Sequence, residues 1–147
     1  MDYQQTFAIS AAGMELERRR VDVATLNLAN ANTVQGPDGT GFQPMRVVAR
    51  NARGAAGSFQ AMVGALGRND ANAAGAVVTI EPLEVAPREA YEPGHPYADE
   101  RGFVRYTGVD TAGEMVTMTS AIRSYEANVA AMNTTRQMAL KALEIGG

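Results

Sequence analysis

The 147-residue chain contains no cysteine and no tryptophan. Without thiols it has no disulfide framework, no thiolate metal site and no cysteine nucleophile. Aromatic residues make up only 6% of the chain, and with 15 glycines and much alanine the interior has to be filled by small side chains and methionine. Net positive charge is also lacking: the formal value of -3 leaves no basic footprint for nucleic acid. No apolar run approaches the roughly 18 residues that a membrane-spanning helix requires, because Arg, Asp, Glu or Asn interrupts every candidate. The start, Met1 to Phe7, lacks the basic residues and apolar core of a cleavable secretory signal. The chain is expected either to be soluble or to leave the cell by a route that needs no such signal.

What is present is an ordinary globular balance, 46% hydrophobic and 20% charged, which argues against a disordered chain. The length suits one ordinary domain, or a small domain carried by long helices. From Tyr3 to Asn32 there is no proline and one glycine, and apolar residues recur at helical spacing in two stripes. One runs Ile9, Ala12, Leu16, Val23, Leu26, and the other Phe7, Met14, Val21, Ala24, Leu28. Together they make an apolar face wider than a two-stranded seam requires. Glu15, Arg18, Arg19 and Asp22 occupy the polar side, and Arg18-Arg19-Arg20 reads as a solvated face compensated by Glu15, Glu17 and Asp22. Thr33 to Gly39 carries the turn chemistry that stops the helix, and Gly36 to Gly41 lacks the Gly-Lys-Ser/Thr ending of a phosphate loop.

From Glu114 to Glu144 a heptad-like pattern runs without internal glycine or proline: Met115, Met118, Ile122, Tyr125, Val129, Met132, Arg136, Ala139, Leu143. It predicts a helix on the order of 45 Å long, capped or frayed at Gly146-Gly147. Three β-rich stretches lie between the helices: Phe42–Val48, Ala76–Ile80 and Gly102–Tyr106. They predict three or four short strands. Residues 51–75 read as a Gly/Ala-rich loop, in which Phe59, Met62, Val63 and Leu66 could form one amphipathic turn or two. The expected organisation is an N-terminal assembly helix over 1–32, a β-rich and loop insert over 33–110, and a C-terminal assembly helix over 111–147. The fold class is mainly α with a small β-rich insert, the terminal helices forming an antiparallel, coiled-coil-like pair. Two helices alone cannot cover faces this wide, so the remaining apolar surface is expected to meet another chain.

Chemistry is thinly represented. His95 is the only histidine; it reads as a turn residue in Pro93-Gly94-His95-Pro96, with a metal site needing Asp99 and Glu100 as the weaker alternative. No nucleophile–base pair is apparent, so no enzyme, cofactor or small-molecule substrate is expected. The candidate residues belong instead to a subunit interface: Leu26, Asn27, Leu28, Asn30, Met118, Ile122, Tyr125, Asn128, Val129 and Met132. Asn27 and Asn30 either terminate the helix or hydrogen-bond across a subunit seam, and Asn128 is expected beside them at such contacts. Tyr125 suits an oriented interface or the packing of the helix pair. The methionines suit non-identical neighbours or ordinary core filling.

Two segments carry a family resemblance. Leu26-Asn27-Leu28-Ala29-Asn30-Ala31-Asn32-Thr33 resembles the signature of flagellar rod and hook proteins, and Glu114-Met115-Val116 with Ser124 to Asn133 resembles their C-terminal helix. With Met138 to Gly146 the chain looks specifically like a proximal rod subunit. Tyr91-Glu92-Pro93-Gly94-His95-Pro96-Tyr97-Ala98-Asp99, then Gly102-Phe103-Val104, is similar to the insert of that family, which usually has Asp at the place of Tyr97 and a proline at that of Thr107. The resemblance implies a structural subunit of the periplasmic rod of the bacterial flagellum. It also implies export through the flagellar type III apparatus without signal cleavage, and partners among its own copies and other rod and basal-body proteins. Nucleic acid and direct membrane insertion are not expected. The rival readings are a helical-hairpin adaptor forming a discrete oligomer, and another rod subunit of the same family.

Overall fold

A computed structural model describes residues 3–36, 38–51 and 76–145. Among them are two long helices, α1 (Tyr3–Ala29) and α2 (Thr111–Ile145), with four strands between: β1 (Met45–Asn51), β2 (Ala76–Pro82), β3 (Arg88–Tyr91) and β4 (Phe103–Tyr106). The fold is mainly helical with a small β part, as expected from the periodicities. The stretch read as a Gly/Ala-rich loop lies, apart from Asn51, outside the described residues, as does the Gly146-Gly147 tail.

The helix ends follow local chemistry. Asp110 caps α2, its carboxylate accepting from the Ala112 amide at 3.1 Å and its carbonyl from the Glu114 amide at 2.9 Å, while Glu114 adds favourable charge to the first turn. At the end of α1 the Asn30 side-chain amide donates to the Leu26 carbonyl at 2.9 Å, adding a donor to one of the helix's last carbonyls. Asn30 to Asn32 form a turn beyond the helix.

The strands form two antiparallel pairs, β1 with β2 and β3 with β4. In the second pair Glu89 faces Arg105 and Tyr91 faces Phe103. The two rings meet edge-on at 5.3 Å, and the Arg105 guanidinium lies 3.3 Å from the Glu89 carboxylate, a cross-strand pattern of modest worth. Asp99 orders the loop between them, accepting from the Phe103 amide at 2.8 Å and the Arg101 amide at 2.9 Å. Gly102 closes the loop with φ +81°, where a Cβ would also crowd the Tyr91 ring. Arg-Glu-Ala-Tyr, which is β3, has no strong strand propensity and was not foreseen; its pairing with β4 makes it a strand.

The chain divides into two compact units. One comprises Met1–Arg18, Val48–Thr79 and Ile122–Gly147, and the other Arg19–Val47 and Ile80–Ala121. All the fully buried apolar side chains among the described residues, Val23, Ala24, Ala31, Val104 and Ala121, belong to the second. There Val34 bridges to Tyr106, the Gln35 amide donates to the Arg105 carbonyl, and the buried Thr107 hydroxyl lies 2.8 and 2.9 Å from the Asn30 and Ala31 carbonyls. The chain leaving α1 is thereby tied to β4. Among the described residues of the first unit the buried side chains are polar: Ser10, Glu17 and Thr135.

Candidate assembly surface

On α1 the stripe Phe7, Met14, Val21, Ala24, Leu28 is half-buried or buried throughout. Of the other stripe, Ile9 is 66% exposed and Leu26 is also exposed, with Val23 alone fully buried. Glu17, expected on the solvated face, is buried. On α2 the predicted apolar seam is turned inward only in part: Met118, Val129, Met132 and Ala139 are half-buried. Met115, Ile122, Tyr125 and Leu143 are exposed, whereas Thr117, Ala121, Ser124, Asn128 and Thr135, one position before seam residues, are buried or half-buried.

The physical reason is visible in the first unit. Gly13 sits so close to Asn128 that a Cβ on the glycine would stand 2.8 Å from the Asn128 amide oxygen. Small and polar residues allow this approach, and large ones would hold the backbones apart. At this approach the facing residues are a glycine and a polar side chain rather than large apolar ones. The lone glycine inside a long helix, unfavourable by about 1 kcal/mol against alanine, was a signal of such an approach. Its partner, more than a hundred positions later, could not be read.

Among the described residues, the second unit contains a fully covered side-chain amide. Asn27 is 0% exposed. Its amide nitrogen donates to the Met45 carbonyl and to the Glu114 carboxylate, each at 2.8 Å, and its oxygen accepts from the Met45 amide at 2.9 Å. Asn27 was expected either to terminate the helix or to bond across a subunit seam; in the single chain its hydrogen-bonding groups are engaged, and fully covered, by Met45 and Glu114. Met45 and Glu114 belong to the same constellation and were missed. Nearby, the Thr25 hydroxyl lies 3.9 Å from the Met118 sulfur. As the numbering rises from Thr25 to Asn27 it falls from Met118 to Glu114, so the two helices run antiparallel in this unit.

The other predicted interface residues divide by exposure. Leu26, Ile122 and Tyr125 are exposed, and Leu28, Asn30, Met118, Asn128, Val129 and Met132 are half-buried. The Asn128 amide donates to the Ser124 carbonyl at 2.9 Å, within its own helix. His95 accepts the Tyr97 amide on Nδ1 at 3.1 Å, which is a turn contact. Around Asp99 the Phe103 hydrogen bond, foremost, and Arg101 hold the carboxyl below its ordinary value. Burial, followed by the hydrogen bond to Glu92, pushes the Tyr106 phenol up. Among the described residues no group of three or more His, Cys, Asp or Glu is placed to hold a metal ion, and no helix is long and apolar enough to cross a membrane.

The described residues thus form two long helices with a small β insert between them, and several large apolar side chains stand exposed on both helices. Residues 100–145 match the family model described as flagellar basal body rod FlgEFG protein C-terminal. With the relatives that follow, that match defines the class, a flagellar basal-body rod protein. The chain is 39% identical over 142 residues to the flagellar basal-body rod protein FlgC of Escherichia coli, covering 95% of each chain. To the FlgC proteins of Salmonella typhimurium and Bacillus subtilis it is 38% and 36% identical, covering 95% and 94% of each chain. The chain belongs to the FlgC family of flagellar basal-body rod proteins, as a structural subunit of the rod.

Proposed function

We propose that this chain polymerises through the outward faces of its two helices into the axial tube that encloses the export channel and transmits torque. The observation that carries the reading is the set of large apolar side chains left outside: Ile9 and Leu26 on α1, and Met115, Val116, Ile122, Tyr125, Leu140 and Leu143 on α2. Val116 is 70% and Leu143 74% exposed. Exposed apolar surface repeated along both helices supports burial against further chains. A tube requires heterologous contacts, one face meeting a different face of the next subunit, and two unlike helical faces supply them. The half-buried Leu28, Asn30, Met118, Asn128, Val129 and Met132 contribute to the same contacts, and the segments 1–32 and 111–147 act as the assembly domain around the insert 33–110.

The route and place are part of the same proposal. The subunit reaches the periplasmic rod through the flagellar type III export apparatus without signal cleavage, and its partners are its own copies and neighbouring rod and basal-body proteins. Its work is structural and not enzymatic. Val116→Asp and Leu143→Asp test the reading, because at such exposed sites the isolated chain is expected to keep its thermal midpoint. Basal bodies isolated from cells carrying either variant as the sole copy should lack complete rods, and the cells should not swim. Swimming cells with normal rods for both variants would refute assembly through these faces.

A further inference from the structure

Asn27 joins three segments that are far apart in sequence: the last turn of α1, the first residue of β1 and the first turn of α2. The chemistry of the joint is specific. It faces one donor, the Met45 N–H, and two acceptors, the Met45 carbonyl and the Glu114 carboxylate, and a primary amide is the side chain that complements all three. Burial removes water as a substitute, so any other side chain leaves a polar group unmet.

The position of the joint is equally specific. Leu26 precedes Asn27, Met115 and Val116 follow Glu114, and Met45 is itself a member; all four carry exposed apolar side chains. The apolar core of the same unit, Val23, Ala24, Ala31, Val104 and Ala121, supplies cohesion, but apolar burial has no direction. Three hydrogen bonds to one amide do.

We propose that Asn27 is a positioning residue for rod assembly, acting through Glu114 and the Met45 peptide group to aim the exposed side chains of Leu26, Met45, Met115 and Val116 at the neighbouring subunit. The inference rests on the reading that those side chains are assembly contacts. Asn27 works beneath that surface rather than on it.

The test exchanges donor and acceptor. Asn27→Asp keeps an acceptor for the Met45 N–H but sets a second carboxylate against Glu114 and the Met45 carbonyl. Adding Glu114→Gln returns a donor to the pair. In the isolated full-length chain, Asn27→Asp should speed hydrogen exchange at the Met45 amide about tenfold or more, and Asn27→Asp with Glu114→Gln should recover much of the protection. As the sole copy in cells, Asn27→Asp should abolish complete rods and the double substitution should restore them in part.

Normal rods with Asn27→Asp alone would overturn the proposal. So would a double variant that regains Met45 protection without regaining rods, because the joint would then serve folding only. A double variant that fails to regain protection, or to fold by far-ultraviolet circular dichroism, overturns it as well. Failure of the parent chain itself to build rods would count against the assembly reading, and the exchange at Met45 would still decide whether the joint exists.

Discussion

Asparagine in a helix interior is unfavourable by a few tenths of a kcal/mol relative to alanine, so Asn27 and Asn128 in their helices, and Asn30 just beyond α1, call for compensation. Each finds a different one. Asn27 is satisfied by Met45 and Glu114, Asn30 by the Leu26 carbonyl, and Asn128 by Ser124 while its amide fills the space left by Gly13. Thr107 acts similarly from a distance, and Thr107→Val, which keeps its shape and removes its hydroxyl, is expected to cost about 1–3 kcal/mol. Chemical denaturation should register the loss, and an unchanged midpoint would show the Asn30 and Ala31 carbonyls satisfied without it. A second residue-scale prediction concerns Asp99. Its folded-state pKa is lowered below the ordinary 3.8, so its contribution to the loop is complete above that value and fades as pH falls through the lower folded one. The Phe103 and Arg101 amide resonances should titrate together with a midpoint below pH 3.8, and Asp99→Asn should abolish the titration. A midpoint at or above that value would contradict the assigned hydrogen bonds.

Among the elements, the two helices carry unequal cores along their lengths. The part of α1 from Arg19 onward and the part of α2 up to Ala121 share a unit whose buried residues include Val23, Ala24, Val104 and Ala121. The described parts of the other unit bury Ser10, Glu17 and Thr135. Apolar burial stabilises by about 25 cal/mol per Å², and polar side chains contribute much less of it. Hydrogen exchange on the isolated chain is therefore expected to show strong protection at residues 20–29 and 113–121. Residues 5–18 and 124–143 should exchange faster and gain protection in the assembled rod. Equal protection of both sets in dilute monomer would mean that the polar seam around Gly13 and Asn128 is as stable as the apolar core.

For the whole molecule, an open polymer and a closed oligomer differ in how mass grows with concentration. Heterologous contacts between the outward faces predict weight-average mass that keeps rising in light scattering, without a plateau. A fixed plateau mass would favour a discrete adaptor instead. Val116→Asp should flatten the rise while leaving the far-ultraviolet spectrum unchanged, because the side chain is exposed in the single chain.

Periodicity and turn chemistry by themselves determined that two long helices bracket a β-rich insert, because a 3.6-residue repeat without proline permits little else. The Leu26 to Thr33 and Glu114 to Asn133 motifs determined the family. Which helical stripe turns inward was decided only in three dimensions: α1 has two apolar stripes, and where Gly13 comes up against Asn128 a polar side chain of α2 faces inward. The role of Asn27 was equally illegible, since Met45 and Glu114 lie 18 and 87 positions away. Local sequence records what a residue can donate and accept, and only tertiary contact decides which distant groups face it after water has been excluded.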